Sequence, residues 1–354
     1  MEDSATPLRK GRGAQFNTVN RFERLHYEPD LIQPDEWGEV PGTKTQFFAE
    51  NPKKIISEVK SPDVPMLKSI NPYQGCEHGC IYCYARNAHE YWGFSAGLDF
   101  ESRIMVKKNA AQLLEAELLS PRWKPVPISL SGNTDCYQPA ERQFRITRSL
   151  LEVFLKYRNP VGIITKNALI LRDLDLLSEL AKHNLVHVYI TLTTLNEELR
   201  RALEPRTVTA KQRLAVIRKL TEAGIPTGVM TAPIIPGLND HEIPKLIEAA
   251  AEAGALAAGY TVVRLNGAIG ELFEDWIHKA FPDRADKVLR QIKDCHGGSL
   301  NDSRWGTRMR GEGALSEHIR TLHAVACARY FGGRTFPKLD RTQFRKEGMQ
   351  MKLF

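Results

Sequence analysis

The stretch Asn71–Tyr84 reads NPYQGCEHGCIYCY and holds three of the six cysteines of the chain, Cys76, Cys80 and Cys83. Their spacing is C-x3-C-x2-C. Thiolates are soft ligands that suit zinc or iron–sulfur clusters. Three of them on a short loop can hold three irons of a cubane, which leaves the fourth iron open to a small molecule. We therefore predict that these cysteines are metal ligands of a catalytic cluster.

Two other kinds of metal site also fit the pattern and stay open at this point. A structural zinc site needs a fourth ligand, and His78 lies inside the loop, although it is only two residues from a cysteine on either side, an awkward spacing for a shared tetrahedron. A fully ligated electron-transfer cluster would recruit Cys136, Cys295 or Cys327. The alternatives are thus a metal-stabilised nucleic-acid-binding protein and an electron-transfer protein.

The composition indicates a globular protein of a reducing compartment. The chain has 354 residues, of which 42% are hydrophobic and 26% are charged, ordinary values for a chain that buries its own core. Clustered cysteines favour metal binding over a disulfide framework. The N-terminus, MEDSATPLRKGRG, has no apolar segment. We therefore expect no secretory signal, no membrane span and a cytoplasmic location.

From about Val64 onward, β-rich apolar stretches alternate with helical ones. Ile243, Leu246, Ile247 and Ala250, for example, fall at i, i+3, i+4 and i+7, on one face of a helix. The predicted strands are Met66–Asn71, Pro127–Ser131, Val161–Thr165, Val186–Thr191, Thr227–Thr231 and Tyr260–Arg264. The predicted helices between them are Lys107–Leu119, Phe144–Tyr157, Arg172–His183, Lys211–Ala223 and Ile243–Ala253.

This alternation predicts an α/β fold with a parallel barrel, or most of one, and a doubly wound open sheet is the alternative. The sequence contains no G-x-G-x-x-G motif, which disfavours a dinucleotide-binding version. In a barrel, chemistry collects at the carboxyl ends of the strands. Polar residues follow the predicted strands here, so we expect the site at that end.

We divide the chain into three regions: an irregular N-terminal extension (1–60), the barrel (61–280) and a basic, helical C-terminal region (281–354). From residue 296 to the end there are eleven Lys/Arg residues and five Asp/Glu residues. Most of the net charge of +7 of the whole chain therefore lies in this part of it. This surplus predicts an anionic partner such as nucleic acid, or else a solvated basic surface. Helices are predicted beyond the barrel at Glu271–Phe281, Ala285–Asp294 and Ser316–Tyr330.

A Gly- and Arg-rich segment, 297–313, lies within this basic region. Its Arg304, Arg308 and Arg310, together with Trp305, suit phosphate contact and base stacking. The same residues suit a salt-bridged cap, so both interpretations stay open.

Several segments make the chain resemble the radical S-adenosylmethionine (SAM) superfamily, in which an aromatic residue such as Tyr82 precedes the last cysteine of the motif. Within that superfamily the chain is similar to the subgroup related to spore photoproduct lyase, and there to the bacterial PA0069-family radical SAM proteins. The segments that carry this likeness are Asn71–Arg86, Thr134–Pro139, Thr165–Lys166, Leu171–Leu174, Glu204–Arg206 and Pro233–Asp240.

The resemblance implies a partial (β/α)6 TIM-like barrel with a basic C-terminal helical cap. It implies that Cys76, Cys80 and Cys83 hold a [4Fe–4S] cluster whose open iron binds the amino and carboxylate groups of SAM. Reductive cleavage would give methionine and a 5′-deoxyadenosyl radical that abstracts hydrogen from a substrate. An electron donor such as flavodoxin or ferredoxin is an implied partner. Nucleic acid is the preferred substrate class, by analogy with photoproduct lyase.

The resemblance also implies cofactor contacts near the ends of the strands. Tyr82 would contact the adenine, or else pack the loop. The end of the second strand would contact the amino group of SAM, although Asp135 also suits a helix cap. Lys166 would pair with the carboxylate. The cofactor-binding residues predicted in this way are Tyr82, Ser131, Asn133, Thr134, Asp135, Lys166, Thr191, Thr193 and Ile235.

Thr194 belongs with the two threonines of the fourth strand as a possible carboxylate or ribose contact; ordinary β-propensity is the alternative for all three. Ile235 lies in the apolar segment that resembles an adenine-binding turn. Arg264, at the predicted end of the sixth strand, could face the substrate or form a core salt bridge. Cys136 is a candidate hydrogen donor, although it follows the aspartate, whereas the cysteine of photoproduct lyases precedes it.

Overall fold

The computed structural model describes residues 8–22, 44–64 and 66–346 of the chain. The remaining parts of the predicted N-terminal extension, and the last residues of the basic region, including Lys352, lie outside the described residues. The strands are β1 (Gln46–Ala49), β2 (Ser57–Glu58), β3 (Lys68–Ile70), β4 (Tyr73–Gln74), β5 (Arg103–Val106), β6 (Ile128–Leu130), β7 (Val161–Thr165), β8 (Val186–Thr191), β9 (Thr227–Met230) and β10 (Ala258–Gly259).

Most helices of the described residues follow predicted ones closely, whereas the short helices Leu98–Ser102, Glu141–Phe144 and Glu197–Leu203 were not predicted. They are α1 (Leu98–Ser102), α2 (Ala110–Leu119), α3 (Glu141–Phe144), α4 (Ile146–Tyr157), α5 (Leu174–Lys182), α6 (Glu197–Leu203), α7 (Ala210–Glu222), α8 (Ile243–Glu252), α9 (Ile269–Ala280), α10 (Ala285–Cys295) and α11 (Gly313–Phe331). Short 3-10 helices cover Tyr84–Trp92, Ala168–Asp173, Asp240–Glu242 and Pro282–Arg284. None of these helices is long and apolar enough to cross a membrane.

The main sheet contains six parallel strands in the order β3-β6-β7-β8-β9-β10, with β2 added antiparallel to β3 at one edge. The order follows the chain without reversal, so the sheet has no switch point of the doubly wound kind. Within the described residues β2 and β10 stand at opposite edges and do not pair. The predicted α/β fold, a partial TIM-like barrel of parallel strands, is confirmed.

Helix α8 shows why the sequence folds in this way. Its apolar residues lie on one face and are buried, including Ile243, Leu246, Ile247 and Ala250. The strands bury the residues that face this helical layer: Val161 and Ile163 of β7, for example, are at most 1% exposed. The periodicities of 3.6 and 2 residues thus meet in one core between sheet and helices.

The last parallel strand, β10, differs from the sixth predicted strand, Tyr260–Arg264. The structure places β10 at Ala258–Gly259 and leaves a single parallel bridge between Ile234 and Val262 beyond it. The ladder is interrupted because the chain after β9 enters a turn that contains Pro233, and proline has no N–H to donate. It resumes at Ile234, whose N–H donates to the Thr261 carbonyl at 2.7 Å. The Val262 N–H instead donates to the carbonyl of Met309, at 2.9 Å, so the edge is covered by the Gly- and Arg-rich segment.

A second, three-stranded sheet has the order β1-β5-β4. Strands β1 and β2 lie inside the region predicted as irregular, and both are too short to show a periodic pattern. Strand β1 pairs with β5, Gln46 opposite Arg103, so its partner is far away in sequence. The extension therefore contributes strands that depend on long-range pairing rather than on local preference.

The C-terminal segment runs beneath the barrel, at the amino ends of the strands. The backbone N–H of Asp340 donates to Asn184, just before β8, and that of Arg345 donates to Tyr157, the last residue of α4. The Phe336 ring packs against His187 and Tyr189 of β8, at centroid distances of 4.5 and 5.5 Å. This part of the basic region thus lies at the end of the barrel opposite the carboxyl ends of the strands.

Candidate functional site

The cysteine loop begins after β3 and the short strand β4, at the carboxyl end of the first parallel strand. Cys76 and Cys80 are buried, with 6% and 7% of their surface exposed, and Cys83 is partly buried. Burial raises the pKa of all three thiols. Backbone hydrogen bonds hold the loop in place. The N–H of Cys76 donates to the carbonyl of Phe100 in α1 at 2.8 Å, and the N–H of Cys83 donates to the carbonyl of Cys80 at 3.3 Å.

Among the described residues, no group of three or more His, Cys, Asp or Glu side chains is arranged to hold a metal ion. The fit of the loop to an iron–sulfur cluster therefore rests on its donor set. All three cysteines are free of disulfides and share one buried loop. Three soft thiolates screened from water are the ligands that such clusters use. By this chemistry the residues present fit the cluster.

Gln138, in the segment after β6, forms hydrogen bonds with the backbone at the start of this loop. Its side-chain oxygen accepts from the Glu77 N–H at 3.0 Å, and its side-chain nitrogen donates to the Gly75 carbonyl at 3.0 Å. Gln138 is fully buried. A buried amide whose two ends are both satisfied specifies one loop position, because either lost bond would leave a buried polar group unpaired.

An N-terminal segment, residues 8–22, packs directly on the cysteine loop. A Cβ on Gly13 would lie 1.8 Å from the carbonyl oxygen of Gly79, so the two backbones touch and only glycine fits. The Glu101 carboxylate accepts from the N–H groups of Gly13 and Ala14 at 3.2 and 2.8 Å and pairs with Arg86 at 2.5 Å. This contact was not predicted from the sequence; the GRG tripeptide at residues 11–13 is the signal that could have suggested a close backbone approach.

Tyr82, predicted as an adenine contact, donates its hydroxyl hydrogen to the buried carboxylate of Glu204. The same carboxylate accepts from Thr193 at 2.7 Å and forms a salt bridge with Arg213. Glu204 is fully buried, and the Arg213 side chain is 2% exposed. Burial opposes the charge of Glu204, but Arg213, Lys166 and the two hydroxyls outweigh burial and lower the pKa of Glu204 to about 2.

Asp135 connects the carboxyl ends of strands β6 and β7 to the cysteine loop. Its oxygens accept from the backbone N–H of Tyr137 at 2.9 Å and from that of Lys166 at 2.9 Å. They also accept from the Thr165 hydroxyl at 2.7 Å and lie 3.4 Å from His78 of the loop. Most of the acceptor capacity of Asp135 is therefore used within the protein, which fits a bracing role.

The ammonium of Lys166 has no hydrogen-bond or carboxylate partner among the described residues. Burial lowers its pKa, but the neighbouring Cys80 and Glu204 outweigh burial, and the net effect raises it. A partly buried, unpaired cation beside the cysteine loop is available to an anionic ligand.

The other predicted site residues that follow β6 form hydrogen bonds with neighbouring groups of the protein. The Ser131 hydroxyl accepts from the Cys136 N–H at 2.7 Å, and the backbone of Ser131 has a positive φ of 76°. The Thr134 hydroxyl donates to the Tyr73 carbonyl at 2.6 Å. Asn133 is half-buried, and its amide reaches a neighbouring side chain at 3.3 Å. Of this group Asn133 has the most exposed side chain.

The threonines at the end of β8 and directly after it are buried. The Thr194 hydroxyl donates to Glu242 at 2.5 Å, and Thr191 is 2% exposed. Ile235 is fully buried, and its N–H donates to the Asn239 side chain at 2.6 Å. Ile235 lies in an apolar cluster that also contains Cys80 and Tyr82, so its segment packs near the cysteine loop.

The two residues predicted as catalytic lie in different surroundings. Cys136 is fully buried in the hydrophobic core, and burial raises the pKa of its thiol. Arg264 is half-buried and has no ion-pair or hydrogen-bond partner among the described residues. Burial and the nearby Arg308 lower its pKa. The core salt bridge considered for Arg264 is therefore absent from the part of the chain that the structure describes.

The Gly- and Arg-rich segment is held by ion pairs. Arg304 pairs with Asp302 at 3.0 Å and with Glu312 at 2.6 Å. Arg308 pairs with Asp63 on the other edge of the sheet. Trp305 is 55% exposed. The salt-bridged cap therefore describes Arg304 and Arg308, whereas the Arg310 guanidinium lies over the Tyr260 ring, 4.3 Å from its centroid.

A family model described as the radical SAM superfamily matches residues 70–250 of the chain. A protein of Mycobacterium tuberculosis, named only as uncharacterized, is 36% identical over 222 residues, which are 62% of this chain and 65% of that protein. The chain thus spans just under two thirds of that relative. A Pseudomonas phage M6 protein, named radical SAM Nα-GlyT isomerase, is 25% identical over 223 residues, 62% of this chain and 44% of the phage protein.

Two solved structures share the fold. Spore photoproduct lyase complexed with dinucleoside spore photoproduct matches with a TM-score of 0.60 and 14% identity, over 81% of this chain and 80% of that chain. A variant of the lyase with bound AdoMet and the same dinucleoside matches with a TM-score of 0.59 and 15% identity, over 83% and 86%. At this identity the likeness concerns the fold. The finer assignment to the PA0069 family stays a prediction.

Proposed function

Because the chain belongs to the radical SAM superfamily, we propose that it is an enzyme that cleaves SAM reductively and starts radical chemistry on a substrate. The observation that carries this proposal is the position of the buried cysteine loop, at the carboxyl end of the first parallel strand of a partial barrel. Cys76, Cys80 and Cys83 hold a [4Fe–4S] cluster in this proposal. When bound, the cluster supplies the electron that splits SAM into methionine and a 5′-deoxyadenosyl radical, which abstracts hydrogen from the substrate.

The residues around the loop bind and orient SAM in this proposal. The unpaired ammonium of Lys166 pairs with the carboxylate of SAM. The side-chain amide oxygen of Asn133 accepts from the amino group of SAM. The segment of Ile235 forms an apolar wall beside the adenine. Asp135 and Thr193 act indirectly, because their polar atoms already hold Lys166, His78 and Glu204 in place. An acidic electron-transfer protein such as flavodoxin or ferredoxin is the proposed electron donor.

Anaerobic purification and a nucleoside assay test this function. The purified protein should be brown, contain about four irons per chain and release 5′-deoxyadenosine from SAM after chemical reduction. A variant with Cys80→Ser should lose both iron and nucleoside, whereas Cys327→Ser, outside the loop, should keep both. One zinc and no iron would contradict the proposal and favour the zinc-stabilised binding protein. Iron without any nucleoside would favour the electron-transfer protein.

Nucleic acid is the proposed substrate class. The half-buried guanidinium of Arg264 has no partner among the described residues and is open to an anion such as phosphate. The exposed Trp305 lies beside Arg308, whose guanidinium carbon is 5.0 Å from the ring centroid, and it suits base stacking. The fold neighbour complexed with a dinucleoside photoproduct supports the same class by analogy.

Binding of a short oligonucleotide at several salt concentrations tests this class. Affinity should fall as salt rises, because phosphate contacts release counterions. Arg264→Met and Trp305→Ala should each weaken binding, and Arg320→Ala, an exposed change on α11, should not. Equal affinity at all salt concentrations, or an equal loss with Arg320→Ala, would contradict nucleic acid as the substrate class while leaving SAM cleavage untouched.

A further inference from the structure

We infer that Glu204 is a positioning residue that fixes the cysteine loop and keeps the reduction potential of the bound cluster low. The inference rests on the proposed function, since it concerns the cluster held by that loop. It assigns a role to the Glu204–Arg206 segment, which carries the family likeness but takes no part in the SAM contacts described above.

The first support is the side chain of Glu204. One carboxylate oxygen accepts from the Tyr82 hydroxyl and, at 2.7 Å, from Thr193. The other oxygen pairs with Arg213. Tyr82 lies between the second and third cysteines, so a carboxylate anchored on α7 through Arg213 holds the middle of the loop.

The second support is the backbone around Glu204. The carbonyl of Leu203 accepts from the Ile81 N–H at 3.1 Å, and the N–H of Arg206 donates to the His78 carbonyl at 3.3 Å. Between these bonds, a Cβ on Gly79 would lie 3.4 Å from the Pro205 ring. Residues 203–206 therefore run alongside residues 78–82 and contact them by backbone and side chain.

The third support is electrostatic. Glu204 is fully buried, and its carboxylate contacts Tyr82, which lies between Cys80 and Cys83 in the loop. In a dry interior a fixed negative charge disfavours the addition of an electron to a neighbouring group. Arg213 and Lys166 offset part of this field, and the balance sets the potential, which for clusters depends on nearby charge and exposure.

The experiment compares three variants of the anaerobically reconstituted protein. Glu204→Gln keeps the shape and removes the charge, and Glu204→Asp keeps the charge and shortens the reach. Glu141→Gln removes an equally buried, arginine-paired carboxylate that contacts Tyr73, before the first cysteine, rather than the interior of the loop. For each variant we measure iron content, the EPR spectrum of the reduced protein, and the midpoint potential in a spectroscopic redox titration.

We expect a more positive potential in Glu204→Gln, a potential near that of the wild type in Glu204→Asp with an altered EPR spectrum, and no change of either in Glu141→Gln. An unchanged potential in a fully loaded Glu204→Gln would overturn the inference. So would equal iron loss in Glu204→Gln and Glu141→Gln, because that indicates general destabilisation. A wild-type protein that holds no iron would instead overturn the proposed function itself.

Discussion

Two buried networks of the same composition anchor the cysteine stretch at different points. Each contains a tyrosine of that stretch, a fully buried glutamate and an arginine: Tyr82–Glu204–Arg213, here called the Glu204 network, and Tyr73–Glu141–Arg172, here called the Glu141 network. Tyr73 precedes the first cysteine, and Tyr82 lies between the second and the third. The same chemistry therefore fixes the entrance of the loop in one case and its interior in the other.

The two networks differ in their surroundings. The Glu141 carboxylate accepts from the Tyr73 hydroxyl at 2.5 Å and from the Thr147 N–H at 3.0 Å, so it ties the loop entrance to the start of α4. Its arginine, Arg172, is 20% exposed, whereas Arg213 is 2% exposed. We therefore expect the Glu141 network to support mainly the helical layer and the Glu204 network, as inferred above, to shape the field at the cysteines.

The largest expected effect comes from removing the arginine of each network. Arg213→Met leaves the Glu204 charge buried without its partner, which should cost about 3–5 kcal/mol in the free energy of unfolding. Arg172→Met should cost less, about 1–3 kcal/mol, because solvent reaches that arginine. Urea unfolding of both variants checks the order, with Arg201→Met, whose side chain is 73% exposed, as the control. Equal losses in the two networks would contradict the comparison.

The tyrosine hydroxyls give the next effect. Tyr82→Phe and Tyr73→Phe each remove one hydrogen bond to a buried carboxylate, so each should destabilise the protein by about 1.5–3 kcal/mol. Only Tyr82→Phe should also change the EPR spectrum and the iron content of the reconstituted protein. A changed spectrum in Tyr73→Phe would show that the loop entrance also shapes the cluster.

The outer side of the loop can be tested through Gly13. Gly13→Ala inserts a methyl group against the Gly79 carbonyl, which should displace the N-terminal segment and cost about 1–3 kcal/mol. Because that segment covers the loop, we also expect faster bleaching of the brown colour in air. Val19→Ala in the same segment, at a residue 65% exposed, should bleach at the wild-type rate. Equal bleaching rates in the two variants would mean that the segment does not screen the loop.

The smallest expected effect is that of Cys136. This thiol lies in the core on the side of the Glu141 network, and its burial argues against direct access by a substrate. Cys136→Ala should leave the yield of 5′-deoxyadenosine unchanged and cost about 1 kcal/mol of stability. In the folded protein, an alkylating reagent should modify the partly buried Cys327 well before Cys136. Rapid alkylation of Cys136 would contradict this expectation and support the hydrogen-donor hypothesis.

Local pattern was enough to predict most of the fold. The helix face of α8 and the alternation of β7 were readable because burial against a neighbouring layer repeats with the period of each element. The last parallel strand, β10, was misplaced because its pairing depends on the path of the chain after β9, and the turn at Pro233 interrupts that pairing. The short strands β1 and β2 escaped notice because their partners lie far away in the chain.

The sequence by itself was enough to single out the three-cysteine loop, because residue type and spacing within one loop are local properties. Only the tertiary structure decided how that loop is held and which side chains remain available around it. It used Asp135 and Thr193 for internal bonds, left Lys166 and Arg264 without partners in the described residues, and brought Glu204 to Tyr82 across 122 positions of sequence. Such contacts follow from packing between distant elements, and no spacing rule along the chain contains that information.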